Sequence, residues 1–107
     1  MHIIETAAFS RRAHDLLSDE EFRLLESALV RRPLAGVLIP GTHGLRKLRW
    51  ALSGRGKRGG ARVIYYVRTD AGRLYLLYIY AKNEREDLTL AELRDIRAYL
   101  SAEDEGD

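Results

Sequence analysis

Apolar positions change their period several times along the chain, and each change marks an element. "HIIE" (residues 2–5) is a short apolar run that reads as a first strand. In "TAAFSRRAHDLL", Phe9, Ala13, Leu16 and Leu17 recur at helical spacing. "SDEEFRLLESALVRR" predicts a second helix: Ser18 and Glu21 have capping-box spacing, Phe22, Leu25 and Leu29 form an apolar stripe, and Pro33 stops it. With almost no linker between them, the two helices form a hairpin. "LIPGTHG" reads as a loop. "LRKLRWAL" alternates, Leu48 and Trp50 on one side and Lys47 and Arg49 on the other, which is strand periodicity. "ARVIYYVRT" and "RLYLLYIYAK" are rich in β-branched and aromatic residues and are joined by the turn "DAG". After "NERED", Thr89 and Glu92 repeat the capping-box spacing, and Leu93, Ile96 and Leu100 give the stripe of a closing helix.

The order is strand, helix, helix, three-stranded meander, helix. This predicts an α+β fold: an N-terminal strand and helical hairpin on a mostly antiparallel sheet, then a C-terminal helix, with the helices on one face. A chain of 107 residues supports one domain, residues 1–107, with 99–107 as a frayed acidic tail. Strand parity puts Arg62, Ile64, Tyr66 and Arg68 on one face of their strand. In the next strand it groups Leu74, Leu76, Tyr78, Tyr80 and Lys82. Pairing across "DAG" then brings Arg62 close to Lys82. Lys47 and Arg49 reach the same end from the preceding strand.

Charge sharpens this picture. Net charge is only +2, yet from Ser27 to Thr69 there is no Asp or Glu, while ten Arg or Lys occur. The loop "SGRGKRGG" between two strands adds Arg55, Lys57 and Arg58 among four glycines. A local positive field points to an anionic partner, phosphate above all. Cations interleaved with tyrosines suit RNA, because lysine and arginine neutralise phosphate and aromatic faces stack on unpaired bases. With 46% hydrophobic residues the chain is globular rather than disordered. It has no cysteine, so disulfides and thiolate chemistry are excluded. It shows neither a signal-peptide pattern nor an apolar run of membrane-spanning length, so a soluble cytoplasmic protein is expected.

Other candidates carry less. His43, four residues before Lys47, has the chemistry of a nucleolytic base, but a surface loop histidine is the favoured reading. Glu84, Glu86 and Asp87 read as a polar turn leading to a helix N-terminus, where acids are favoured. No three residues have metal-ligand spacing, so no metal is expected. No recognition-helix motif is present, so no direct sequence-specific DNA binding is expected.

"PGTHGLRKLRWALSGRGKRGGARVIYY" followed by "YAKNEREDLT" resembles the RelE/HigB-like toxins of bacterial type II toxin–antitoxin systems, closely over residues 40–89. The resemblance implies a small, basic endoribonuclease that needs no metal or cofactor, cuts messenger RNA on the ribosome and is silenced by a cognate antitoxin protein. DNA binding in such pairs usually resides on the antitoxin. It implies a catalytic set of Arg62, Lys82, Lys47 and Lys57. RNA-binding candidates are Arg46, Arg49, Arg55, Arg58, Arg68, Tyr66 and Tyr80. The family's strand-start arginine falls on Arg62, and the basic residue ending the last long strand falls on Lys82. Lys57 and the other basic residues correspond by region. Some relatives carry a catalytic tyrosine after the last strand, where this chain reads "NEREDLT". A non-catalytic RNA-binding module and a decayed toxin that keeps only antitoxin binding remain the alternatives.

Overall fold

The computed structural model describes residues 1–52 and 59–105, with side chains as far as Leu100. Arg55, Lys57 and Arg58 lie outside the described residues. The elements are β1 (His2–Glu5), α1 (Ala7–Leu16), α2 (Asp19–Arg31), β2 (Val37–Leu38), β3 (Arg46–Trp50), β4 (Ala61–Arg68), β5 (Arg73–Ala81) and α3 (Leu90–Glu105). They form one five-stranded sheet in the order β1-β5-β4-β3-β2. β1 runs parallel to β5, and every other pairing is antiparallel.

All three helix starts are capped by side chains that satisfy otherwise orphaned N–H groups. Thr6 Oγ1 accepts from the Phe9 amide. Ser18 and Glu21 form a reciprocal capping box. Thr89 and Glu92 form the other, with Glu92 Oε1 accepting from Thr89 N at 2.8 Å and Thr89 Oγ1 accepting from Glu92 N at 3.1 Å.

The edge strand β2 was not expected from the sequence. Its two residues are too few to carry a period, and tertiary contacts define it. The Arg46 guanidinium donates to Leu34 O and Gly36 O, at 3.3 and 2.7 Å. The buried Tyr65 hydroxyl accepts from Gly36 N at 2.7 Å and donates to Pro33 O at 2.8 Å. These bonds fasten the segment after α2 to the sheet.

The helices lie on both faces, contrary to the one-face expectation. Phe9 and Ala13 of α1 and Leu25 and Leu29 of α2 pack on Val63, Tyr65, Leu74, Leu76 and Ile79. Leu88, with Leu93 and Leu100 of α3, packs on Ile64, Tyr75, Leu77 and Tyr80. The simple alternation expected along β5 also fails, because the register slips between Ile64 and Tyr65: Ile64 faces Tyr78, but Tyr65 faces Leu76. The extra residue, Leu77, puts Leu74 and Leu76 on the α1–α2 side with Ile79, and Tyr75 and Leu77 on the α3 side with Tyr80. A bulge of this kind inverts parity on one side of itself. Since β3 carries no such shift, Lys47 and Arg49 keep the face that alternation gives them.

Candidate functional site

Arg49 and Arg62 are direct cross-strand partners in the β3–β4 ladder. Like charges placed opposite each other destabilise a sheet, so this pair is a local cost that the fold carries. Arg62 is only 7% exposed. Its guanidinium donates to Gly59 O at 2.6 Å and Ala61 O at 3.2 Å, and among the described residues no carboxylate pairs with it. Backbone carbonyls thus hold a cation that no carboxylate of the described residues pairs with.

Lys82 follows the end of β5 on the same side. Its amide bonds Gly60 O at 2.9 Å, which closes the ladder beside Arg62. Its Nζ donates to Glu86 O at 2.7 Å. Gly59, at φ 76, lies against the Lys82 stem, where a Cβ would come within 2.9 Å of Cγ. Lys47, Arg49, Arg62 and Lys82 together line a recess of about 450 Å³ with Ala35, Val37 and Leu48. Four cations from two strands and the end of a third therefore share one open cavity with an apolar wall.

Among the described residues one carboxylate reaches this group. Asp87 Oδ1 accepts from Lys47 Nζ at 3.1 Å and from the Tyr80 hydroxyl at 3.2 Å. The Lys47 hydrogen bond, supported by the nearby charge of Lys82, holds the Asp87 carboxyl below the usual range against the opposing effect of burial. Burial, and then the Asp87 charge, push the Tyr80 phenol up to about 12. Tyr80 therefore keeps its proton and acts as a donor to Asp87. The polar-turn reading of "NERED" missed this role. Glu84 does serve the turn, accepting from Ala81 N at 2.9 Å and pairing with Arg12. The one sequence signal for Asp87 is its place five residues after Lys82, in the turn that closes the basic strand end.

The remaining candidates among the described residues do not line this recess. Tyr80 is fully buried in the α3-side core, so its ring has no free face for a base. Tyr66 is half-buried between the Tyr75 ring and the Arg97 guanidinium. Arg68 sits at the far end of β4, six residues from Arg62, and pairs with Asp70. Arg46 points to the opposite face from Lys47 and is spent on β2. Alternation grouped these residues correctly along β4 but could not reveal which would be covered by α3. Among the described residues no three His, Asp or Glu side chains are grouped to hold a metal ion.

Comparison with known proteins gives the family. Residues 1–103 match the family described as the RelE toxin of the RelE / RelB toxin-antitoxin system. The chain belongs to the RelE toxin family. Among solved structures it is similar to E. coli toxin RelE, determined in the free state as a double arginine-to-alanine mutant. That likeness has a TM-score of 0.59 at 15% sequence identity, covering 90% of this chain and 95% of the other. The α+β architecture, with three helices on a five-stranded sheet, is thus the RelE fold. As a RelE-family member the protein is a toxin of a toxin–antitoxin system, with an antitoxin as its partner.

Proposed function

We propose that this toxin is a ribosome-dependent messenger RNA endoribonuclease, acting in the cytoplasm without a metal. The observation that carries the reading is the Arg49–Arg62 pair, set with Lys47 and Lys82 around one open cavity. A bound phosphate relieves their mutual repulsion, and a phosphorane-like transition state, with more negative charge, relieves it further. In the reaction the ribose 2′-oxygen attacks the adjacent phosphorus while the bond to the 5′-oxygen breaks, leaving a 2′,3′-cyclic phosphate and a free 5′-hydroxyl. A base takes the 2′-proton and an acid supplies one to the leaving oxygen.

Arg62 is the clamp, because its fork matches two phosphoryl oxygens and its backbone bonds fix it in place. Lys82 and Lys47 are the residues placed to move protons. Lys57 joins them on the strength of the family resemblance, and Arg49, Arg55 and Arg58 extend the grip on the strand. Asp87 orients Lys47. Their ion pair is solvent-exposed, 35% at Lys47 and 60% at Asp87, so it is worth at most about 1 kcal/mol. An incoming phosphate can displace it.

The test is induced expression of the wild type beside Arg62→Ala and Lys82→Ala proteins, with transcript ends mapped. The reading expects growth arrest and new messenger RNA 5′ ends inside reading frames for the wild type alone. Normal growth with intact transcripts would refute it. Salt-dependent RNA binding without cleavage would make the protein a binding module, and antitoxin binding alone would make it a decayed toxin.

A further inference from the structure

A second group of cations gathers where the loop before β3 meets α3. Gly41, Thr42 and His43 line a recess of about 370 Å³ with Arg94, Arg97 and Ala98. α3 sorts its charges by flank. Arg94 and Arg97 face this recess, whereas Glu92 and Asp95 line a cleft toward α1. No carboxylate of the described residues lines the recess.

The loop is held in an unusual shape. His43 has φ 55 and lies between Gly41 at 76 and Gly44 at 104; among the described residues it is the one non-glycine with positive φ. Such a conformation costs on the order of 1 kcal/mol and persists only when its surroundings impose it. Here Thr42 Oγ1 donates to Ile39 O at 2.6 Å, and Arg97 Nε donates to His43 O at 3.1 Å. The Arg97 guanidinium lies 4.6 Å from the centre of the Tyr66 ring. The backbone is pinned, while the His43 and Arg94 side chains stand exposed.

We infer that this recess is a second phosphate subsite, taking a backbone phosphate of the same RNA strand that enters the Arg62 cavity. The inference rests on the endoribonuclease reading for the identity of that strand. Lys47 is four chain steps from His43, so their Cα atoms are at most about 14 Å apart. Between them lies a hollow of about 230 Å³ with Ile39 and Leu90 as apolar wall and the Lys47–Asp87 pair and Tyr80 on its polar side. Leu90 in turn rests against Gly41. The order is cation cluster, a hollow walled by leucine and isoleucine side chains and edged by the Lys47–Asp87 pair, cation cluster, which fits phosphate, base, phosphate along a short stretch of single strand.

The test titrates the intact toxin with a pentanucleotide RNA whose riboses are 2′-O-methylated and cannot be cut. Affinity is measured against salt while the His43 ring protons are followed by NMR. The wild type should shift the His43 signals on binding. Arg94→Ala should bind several-fold more weakly, with a log–log salt slope shallower by about 0.7, the share of one contact to a single strand. Arg23→Ala, on α2 beside Met1 and Ile3, should leave the slope unchanged. Stationary His43 signals with an unchanged Arg94→Ala slope would overturn the subsite. If inorganic phosphate moves His43 as strongly as the oligonucleotide does, the recess is a free-anion site and the shared-strand claim fails. Cleavage is scored separately, on ribosomes. Loss of cleavage with the slope change intact removes the enzyme reading alone, and cleavage with no slope change removes the subsite alone.

Discussion

Removing the Tyr65 hydroxyl strands two backbone groups at once. Gly36 N–H and Pro33 C=O both use it, inside a site where Tyr65 is fully buried. An unsatisfied buried group costs about 1–3 kcal/mol, so Tyr65→Phe should lose about 2 kcal/mol. A lower urea midpoint at unchanged m-value would show this; a midpoint within error of the parent would contradict it. Arg62 should behave differently. Its bonds to two carbonyls imply a stability cost of only about 1–2 kcal/mol for Arg62→Ala, whereas loss of a transition-state clamp should slow cleavage at least about 100-fold. Thermal melting beside a ribosome cleavage assay separates the two costs, and Arg62→Lys, which keeps charge but loses the fork, should fall between parent and alanine in cleavage. Asp87 sets a sign. Asp87→Asn leaves Lys47 without its internal anion, so affinity for uncleavable RNA should rise a few-fold, and Lys47→Ala should lower it. Weaker binding by Asp87→Asn would mean that the carboxylate assembles the site rather than competing with phosphate for it.

At the level of the element, the cap of α3 is a carboxylate device. Hydrogen bonds from the Arg85 guanidinium, and then from the Thr89 amide, pull the Glu92 carboxyl down to about 2 from its ordinary 4.5. A depressed carboxyl stabilises the fold at pH above 4.5 and loses that contribution as pH falls toward 2. Amide protection factors at Leu93 and Ile96, taken against the intrinsic exchange rate at each pH, should therefore fall across that window in the wild type. Glu92→Gln should flatten this dependence, and an equally steep profile in the variant would assign the acid sensitivity elsewhere. The capping boxes behind such effects were legible in the sequence because a cap is local: a hydroxyl residue and a carboxylate three apart suffice. The bulge in β5 was not, since Leu77 is one apolar residue in an apolar run; only pairing with β4 reveals the extra residue. β2 escaped for a related reason, because Arg46 and Tyr65 create it from across the sheet. The site followed the same division. Lys47, Arg49 and Arg62 lie on strands that keep simple alternation, and they were placed together from sequence. Asp87 sits in a turn without a period, and only the folded chain shows that it reaches Lys47.

Over the whole molecule, net charge says little and placement says much. The acid-free stretch 27–69 supplies β2, β3 and β4, so chain order itself delivers cations to one region of the sheet. Glu92 and Asp95, on the helix that packs against it, line the far flank. If RNA affinity comes from this local field, two variants of equal net charge must differ. Arg49→Glu and Arg23→Glu each lower the net charge by two. Arg49 lines the cavity opposite Arg62, whereas Arg23 lies on α2 beside Met1 and Ile3. Exposed charges farther apart than about 8–10 Å are largely screened at physiological salt, so an acid at position 23 should barely be felt in the cavity. An acid at position 49 would instead pair with Arg62 and occupy the phosphate position. Arg49→Glu should therefore weaken uncleavable RNA by at least about tenfold at moderate salt and make the salt slope shallower, each lost single-strand contact removing roughly 0.7. Arg23→Glu should stay within about twofold of the parent at the same ionic strength. Because both positions are exposed, melting temperatures of the two proteins should remain close, which excludes unfolding as the cause. Equal losses of affinity in both would show that RNA responds to total charge, and the recess around Arg62 would then have no special claim to the strand.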